Sequence, residues 1–416
     1  MFLERLKHFN KSHAVTVFKG NFISKLILVI GGLFLAKFYG SDEYGTYSIY
    51  LSISVISSTF ITFGLDHLIT LSTNKDQIEN NFKSINILSL IFTFLLLLIF
   101  TLFNSSSLSI KTYFVGIMTG YFIQFTNNTK FFLAKEKKFK KITYLTITDA
   151  GVSFTLQAIF LFTNIKNGLI TGSLIGFSIA FLLSLFYVRN LIQIPNYIQF
   201  FENIKKRKDL ITISYPSTLI NTLGNNIMPI LIASYFIPKI VGEYSLANKI
   251  LSIPLLLISS SIATVYYPKA VELYNSSKKE ALIEYTKKIS TRNFIIIIIL
   301  YILINSIGIF LLKILYNKNW ENLGSFVFLL SFGFLSRSLI NPVADIFTIL
   351  KKNKITLIFN LYLLFSNFLS IYLGKQFGFL YLVGIFSLLL SIGYGYLFYF
   401  IIYHLNKNHE SHQEIY

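Results

Sequence analysis

The chain has no cysteine among its 416 residues. That excludes disulfides and thiolate metal centres and leaves the redox compartment unmarked. The six histidines, His8, His13, His67, His404, His409 and His412, lie mostly in the tails and show no metal-ligand spacing, so neither a metal site nor a cofactor is expected. No G-x-x-x-x-G-K-[ST] phosphate loop occurs, so no nucleotide-hydrolysing motor is encoded. Acidic residues are scarce, 18 Asp and Glu against 37 Lys and Arg, and charged residues make up only 13% of the chain. A cleavable leader is also missing: the first apolar run begins near Asn21, lacks an A-x-A site and contains Lys25, so it is expected to stay as the first membrane span. With no reactive His or acid cluster and little room in the outer links, no catalytic residue is expected.

What the chain does have is hydrophobicity. It is 54% hydrophobic with a mean hydropathy of +0.62, more apolar surface than a soluble core of this size can hide. The reading is an all-α integral membrane protein. Twelve segments reach the roughly 20 mostly apolar residues that a span needs, near 21–39, 45–67, 84–103, 110–132, 142–163, 169–188, 211–236, 244–267, 293–312, 324–350, 355–373 and 379–403. Links after the even-numbered spans are basic, with Lys75 and Lys83, then Lys130 and Lys135 to Lys141, Arg189 and Lys205 to Lys208, Lys269 to Arg292, and Lys351 to Lys354. Links after the odd spans are short and nearly uncharged. The positive-inside rule then puts both termini in the cytoplasm. The basic excess is a topology signal, with some contact to anionic lipid headgroups, and no nucleic-acid partner is expected.

The chain also repeats itself. Leu35 to Tyr50, L-A-K-F-Y-G-S-D-E-Y-G-T-Y-S-I-Y, aligns without a gap with Ile232 to Ala247, I-A-S-Y-F-I-P-K-I-V-G-E-Y-S-L-A, each where one apolar segment gives way to the next. Two matching hairpins that far apart point to two homologous halves. The division is then 1–20 as a cytoplasmic segment, 21–188 as an N-terminal lobe of six spans, 189–210 as a cytoplasmic linker, 211–403 as a C-terminal lobe of six spans, and 404–416 as a cytoplasmic tail. Within the linker, Asn196 to Lys208 reads either as an interfacial helix joining the lobes or as an ordinary solvated connection.

Polar residues recur at every fourth position of several spans, which is one helix face. Ser54, Ser58, Thr62 and Asp66 do so in span 2, Gly116, Gly120, Gln124 and Asn128 in span 4, and Asp149, Ser153 and Gln157 in span 5. Ser217, Asn221 and Asn225 follow in span 7, and Arg337, Asn341 and Asp345 in span 10, around Pro342. Such stripes either line a polar cleft, which would also take in Asn21, or bind helices to one another. Charged positions fit the second reading less well, because a Lys or Asp near a helix centre costs about 3 kcal/mol even on the lenient insertion scale. Lys25 and Arg337 are the deepest cations and Lys249 lies nearer one end of its span, while Lys37 can snorkel to the outer boundary. Arg337 and Asp345 stand too far apart to pair on an unbroken helix, unless Pro342 bends it; Asp149 is the other candidate partner.

Phe38 to Ser48, F-Y-G-S-D-E-Y-G-T-Y-S, followed by F-G-L at Phe63 to Leu65, together with the twelve spans, the two lobes and a polar first helix, resembles the polysaccharide-transport flippases. These are the Wzx-type O-antigen and capsule-unit translocases of the MATE-like MOP superfamily. The first 75 residues carry most of the likeness. The resemblance implies a V-shaped two-lobe bundle in the bacterial inner membrane that alternates between inward-open and outward-open states and is not an enzyme. Its implied cargo is an undecaprenyl-diphosphate-linked oligosaccharide for O-antigen, capsule or lipooligosaccharide assembly, with membrane lipids, the pathway's polymerase and its glycosyltransferases as partners. A cationic cavity is implied too, assigned here to Lys25, Lys249 and Arg337, and coupling by H+ or Na+ through Asp149 or Asp345. The chain departs from the related lipid II flippases in having twelve spans where those have fourteen, and Asp66 and His67 in span 2 where those favour Arg. A MATE-like exporter of cationic drugs and, more distantly, an envelope-glycan polymerase or acyltransferase are the alternatives. Reporter fusions placed in the linker after span 6 and in the tail after span 12 are expected to score cytoplasmic alike; an external score for either would overturn the twelve-span topology.

Overall fold

The computed structural model describes residues 13–103, 110–163, 165–191, 194–276, 278–316, 318–350 and 352–410. Every regular element among them is helical. Contacts divide the chain into two compact units, Met1–Ser234 and Tyr235–Tyr416.

The first unit begins with α1, His13–Phe60, which is interrupted at Gly40. Its φ of 81° suits a residue without a Cβ, so the chain bends there into arms 13–39 and 41–60, where the first two spans were expected to part. A turn leads to α2, His67–Leu71, then α3, Lys75–Phe103, α4, Ile110–Lys135, α5, Phe139–Phe162, and α6, Gly168–Val188. After them come the short α7, Tyr197–Lys206, then α8, Tyr215–Asn226, and α9, Met228–Ala233. The second unit holds α10, Pro238–Pro254, α11, Ser260–Asn275, α12, Lys279–Leu303, α13, Ile309–Leu315, α14, Leu323–Ile340, α15, Ile346–Ile349, α16, Asn353–Gly374, and α17, Phe379–Glu410.

Among the described residues eight helical segments are long and apolar enough to cross a membrane: Lys75–Leu102, Phe139–Phe162, Gly168–Leu191, Pro238–Ser259, Glu280–Leu315, Leu323–Ile349, Lys354–Gly374 and Phe379–Leu405. The other four expected spans are helical as well, but more polar. The two arms of α1 carry Lys25, Lys37, Asp42 and Glu43, α4 carries Gln124, Asn127 and Asn128, and 210–233 is broken by a π-helical turn at Leu210–Ser214 and again near Pro229. Outward faces are apolar, as on α3, where Phe94, Leu98 and Leu102 are exposed. That is how a helix meets lipid.

Small residues let these helices touch backbone to backbone. Along α6, Gly168, Gly172, Gly176, Ala180 and Ser184 fall on one face. A Cβ at Gly172 would come within 2.8 Å of the Gln157 backbone nitrogen, and one at Gly176 within 2.8 Å of the Ser153 backbone, so α5 and α6 pack at a distance only glycine permits. Gly120 of α4 meets Ser57 and the Ser54 carbonyl of α1 in the same way.

The repeated motif does similar work in each unit. Glu43 Oε1 accepts the Asn167 N–H at 2.7 Å just before α6. Glu243 accepts the Asn322 N–H at 3.1 Å and its side-chain amide at 3.0 Å just before α14. In both units a carboxylate at the head of the second hairpin helix fixes the start of another long helix, satisfying donors that a helix leaves unpaired. Burial pushes the Glu43 carboxyl above its usual range, and the Asn167 N–H works against that.

By contact, residues up to Ser234 group with the first unit. Segment 211–236, expected to open the second lobe, packs almost entirely with the first unit: the Tyr215 hydroxyl donates to the Phe60 carbonyl at 3.1 Å, and its ring lies 5.3 Å from that of Phe63. Aromatic packing at the turn after α1 is the physical reason. The linker itself holds helix α7, clamped to α3 where Asn80 and Asn196 exchange two hydrogen bonds of 2.9 and 2.7 Å, with Asn203 donating to Asn81 at 3.2 Å. Phe200 is buried in the core beside Phe82 and Ile85, whereas Tyr197, Ile198 and Phe201 are exposed and Lys205 to Lys208 follow.

Gly176→Ala should therefore lower the thermal midpoint of the purified protein by an overpacking penalty of about 1–3 kcal/mol, whereas Gly151→Ala, whose Cβ would meet nothing within 4 Å, should leave it unchanged or raise it. Equal midpoints for the two variants would show that the α5–α6 approach is not tight.

Candidate functional site

A charge within a span needs a partner, water or a ligand. The ion pairs among the described residues, Lys75–Glu79, Lys138–Glu136, Arg207–Asp209, Lys239–Glu321 and Lys269–Glu272, sit near helix ends or in links. None involves Lys249 or Arg337. Lys249 is half-buried on α10 and has no hydrogen bond or ion pair among the described residues. Arg337, half-buried near the end of α14, sets its guanidinium 5.9 Å from the Tyr394 ring centre, close to Tyr301, and its Nε is buried without a hydrogen bond. A cation held over an aromatic face keeps its charge available to an incoming anion.

The surroundings hold Arg337 firmly. Asn293 on α12 donates to the Ser338 carbonyl at 2.6 Å and exchanges hydrogen bonds with Ser259, fastening α12 to α14 one residue past the arginine. The Tyr301 hydroxyl donates to the Leu251 carbonyl at 2.8 Å, two residues beyond Lys249. α14 ends at Ile340, and a 3-10 turn at Asn341–Val343 around Pro342 carries the chain on to Asp345, which is exposed. The break does not bring Asp345 into an ion pair with Arg337; Asn341 is half-buried within the turn.

In the first unit, Asp149 on α5 is half-buried and interacts electrostatically with Lys130 of α4, beside Tyr47 and Tyr50. Lys130 thus takes the partner's place considered for Arg337. It was read in the sequence only as part of a basic link, and no local spacing ties residues 130 and 149 together. Tyr301 and Tyr394 were likewise missed, since one Tyr among 26 carries no positional signal.

Several residues expected to line a cleft are bound inside the first unit. Gln124 donates to Asn128 at 2.9 Å, Asn128 to Asn86 at 2.8 Å, and Asn86 to the Phe82 carbonyl at 2.8 Å, all buried. Ser58 and Thr62 are buried and bond back to the carbonyls of Val55 and Thr59. Ser153 is buried against Gly176. Of these five, Asn128 crosses to another helix by a hydrogen bond and Ser153 meets one by close packing, while Ser58, Thr62 and Gln124 bond within their own stretch of chain. Asn221 and Asn225 differ: both are exposed on α8, joined by the Asn225 amide, which donates to the Asn221 carbonyl at 2.8 Å. The side chains of Asn21 and Lys25 lie outside the described residues.

An all-helical, multi-pass membrane protein with this arrangement of helices has the fold shared by MOP superfamily transporters and flippases. The chain is similar to a multidrug resistance MATE family transporter of that superfamily in an inward-facing conformation, with a TM-score of 0.67 at 15% identity over 95% of this chain and 99% of the other. It is similar as well to the lipid II flippase MurJ in an inward closed conformation, with a TM-score of 0.69 at 16% identity over 94% and 87%. No curated protein matches it by sequence. The chain belongs to the polysaccharide biosynthesis protein family, whose model matches residues 13–274.

Because the chain has no native cysteine, single introduced thiols report their own surroundings. Cysteines at Asn221 and Asn225 should react with a polar, membrane-impermeant thiol reagent in open membranes, and one at Asn128 should not. Labelling at 128 as fast as at 221 would mean that the Gln124–Asn128–Asn86 chain opens to water.

Proposed function

We propose that this protein flips an undecaprenyl-diphosphate-linked oligosaccharide from the cytoplasmic to the outer leaflet of the bacterial inner membrane, for assembly of O-antigen, capsule or lipooligosaccharide. Twelve spans in two six-span lobes, with both termini cytoplasmic, would alternate access to a central cleft. The observation that carries this reading is the pair of cations without acid partners, Lys249 and Arg337, in a member of the polysaccharide biosynthesis family. A diphosphate entering a low-dielectric cleft must have its charge met, and guanidinium and ammonium groups do this by charge-assisted hydrogen bonds. The prenyl tail would stay in lipid. Lys25 is assigned a third position in the same role, and Asn221, Asn225 and Asn341 supply neutral donors and acceptors suited to sugar hydroxyls. An exporter of cationic drugs would want acids at the positions that Lys249 and Arg337 hold.

Asp149 and Asp345 are the acids through which H+ or Na+ would couple. Asp149, already facing Lys130, would exchange a proton beside that side chain, whereas Asp345 stands exposed. Membrane lipids, the pathway's polymerase and its glycosyltransferases complete the set of partners.

Lys249→Gln and Arg337→Gln should each reduce surface glycan while the protein inserts at normal levels, and Arg337→Lys should restore part of it. Loss of one charge-assisted contact weakens binding by roughly 10- to 150-fold. Normal glycan in both Gln variants would remove the proposed role of these cations.

A further inference from the structure

The first unit contains an open groove of about 510 Å³ that the proposed flipping does not use. It runs between α3, α4 and α6 at the end of the unit where the basic links cluster, and the strand of chain leading into α7 borders it. That volume falls within the range of small-molecule and lipid-chain sites. Its walls are almost wholly apolar, including Phe82, Leu90, Phe125 and Val188, and Lys83 is the one charged residue that lines it. Lys83 is half-buried and makes no hydrogen bond or ion pair among the described residues. The lining amide of Asn86 is committed to the Phe82 carbonyl and to Asn128. Just past the groove, Arg189 lies over the Phe186 ring at 4.7 Å and Lys141 over the Tyr187 ring at 4.7 Å.

The border is built to stay in place and to face lipid. Asn80 clamps Asn196 by two hydrogen bonds, while Ile194 is 92% exposed and Ile198 77% exposed. Such aliphatic side chains, followed by Lys205 to Lys208, suit the boundary between headgroups and acyl chains. An oily trough with a single unpaired ammonium and no carboxylate fits a molecule that is itself an apolar chain ending in an anion. A free phosphate would leave the walls bare, and a zwitterionic lipid brings a cation of its own to Lys83.

We propose that the groove holds one anionic phospholipid, an acyl chain along the Phe82–Val188 walls and the phosphate on Lys83, in the leaflet that the basic links face. The site is separate from the cleft cations, and its test requires no transport. The full-length protein, delipidated in detergent, is equilibrated with equal amounts of phosphatidylglycerol and phosphatidylcholine of matched chains, and the retained lipid is counted by native mass spectrometry. Phosphatidylglycerol should be retained roughly fivefold over phosphatidylcholine, the effect of one lysine at an anionic surface. Lys83→Gln should abolish the preference, Lys83→Arg should keep it, and Lys75→Gln, outside the groove, should not alter it. Equal retention of the two lipids by the unmodified protein, or an undiminished preference in Lys83→Gln, would overturn the site. Displacement of phosphatidylglycerol by an equal amount of undecaprenyl phosphate would overturn its assignment to phospholipid and give it to a prenyl carrier.

Discussion

Every polar group in a bilayer must find a partner inside the protein or lose several kcal/mol, and this chain is shaped by how it meets that constraint. Most of its serines and threonines turn back on their own helix, as Ser54 does to Tyr50 and Thr93 to Ser89. Its buried amides reach across, as Gln157 does to the Leu169 carbonyl and Ser173. Its acids near helix starts take backbone N–H groups, Glu43 from Asn167 and Glu243 from Asn322. Lys249 and Arg337 lie within spans, and no acid among the described residues pairs with them.

The same constraint explains why the helices approach so closely. Hydrophobic burial does not drive helices together in lipid, so close backbone contact and hydrogen bonds between helices must do it. The α6 glycine face against Ser153 and Gln157 supplies the first, and the Gln157 amide across it supplies the second. Tyr39 adds a hydrogen bond of 2.6 Å to the Gln157 carbonyl, so one glutamine ties three helical segments of the first unit. In the second unit Ser387 plays the comparable part, accepting the Gly333 N–H at 2.9 Å and donating to the Leu329 carbonyl.

Helical segments and most of the breaks between them were legible from apolar run length, Pro342 and the basic links, because those signals are local. Four-residue periodicity marked one polar face on several helices. It did not say what each face meets, since a stripe that contacts another helix and one that contacts water have the same spacing. Gln124 and Asn128 are bound inside the first unit whereas Asn221 and Asn225 are exposed, and only the position of Asn86, some forty residues earlier in the chain, distinguishes them. The Lys130–Asp149 couple was hidden for the same reason. Segment 211–236 was assigned by a repeat offset, which detects shared ancestry of sequence and carries no information about which unit Tyr215 packs upon.

The two units solve the charge problem differently, and the difference bears on mechanism. In the first, the acid Asp149 faces Lys130, so a group of each sign lies beside the other. In the second, Lys249 and Arg337 have no acid partner among the described residues, and a cation near a helix centre costs about 3 kcal/mol on the lenient insertion scale. An anion with two negative groups would relieve that cost on arrival and restore it on leaving. On the proposed reading a carrier must bind its cargo at one leaflet and release it at the other, so a guanidinium set against the Tyr394 ring serves better than one already neutralised by an acid. Pairing Arg337 with a carboxylate would satisfy the guanidinium within the protein and leave less of its charge for any anion that the proposed cleft admits.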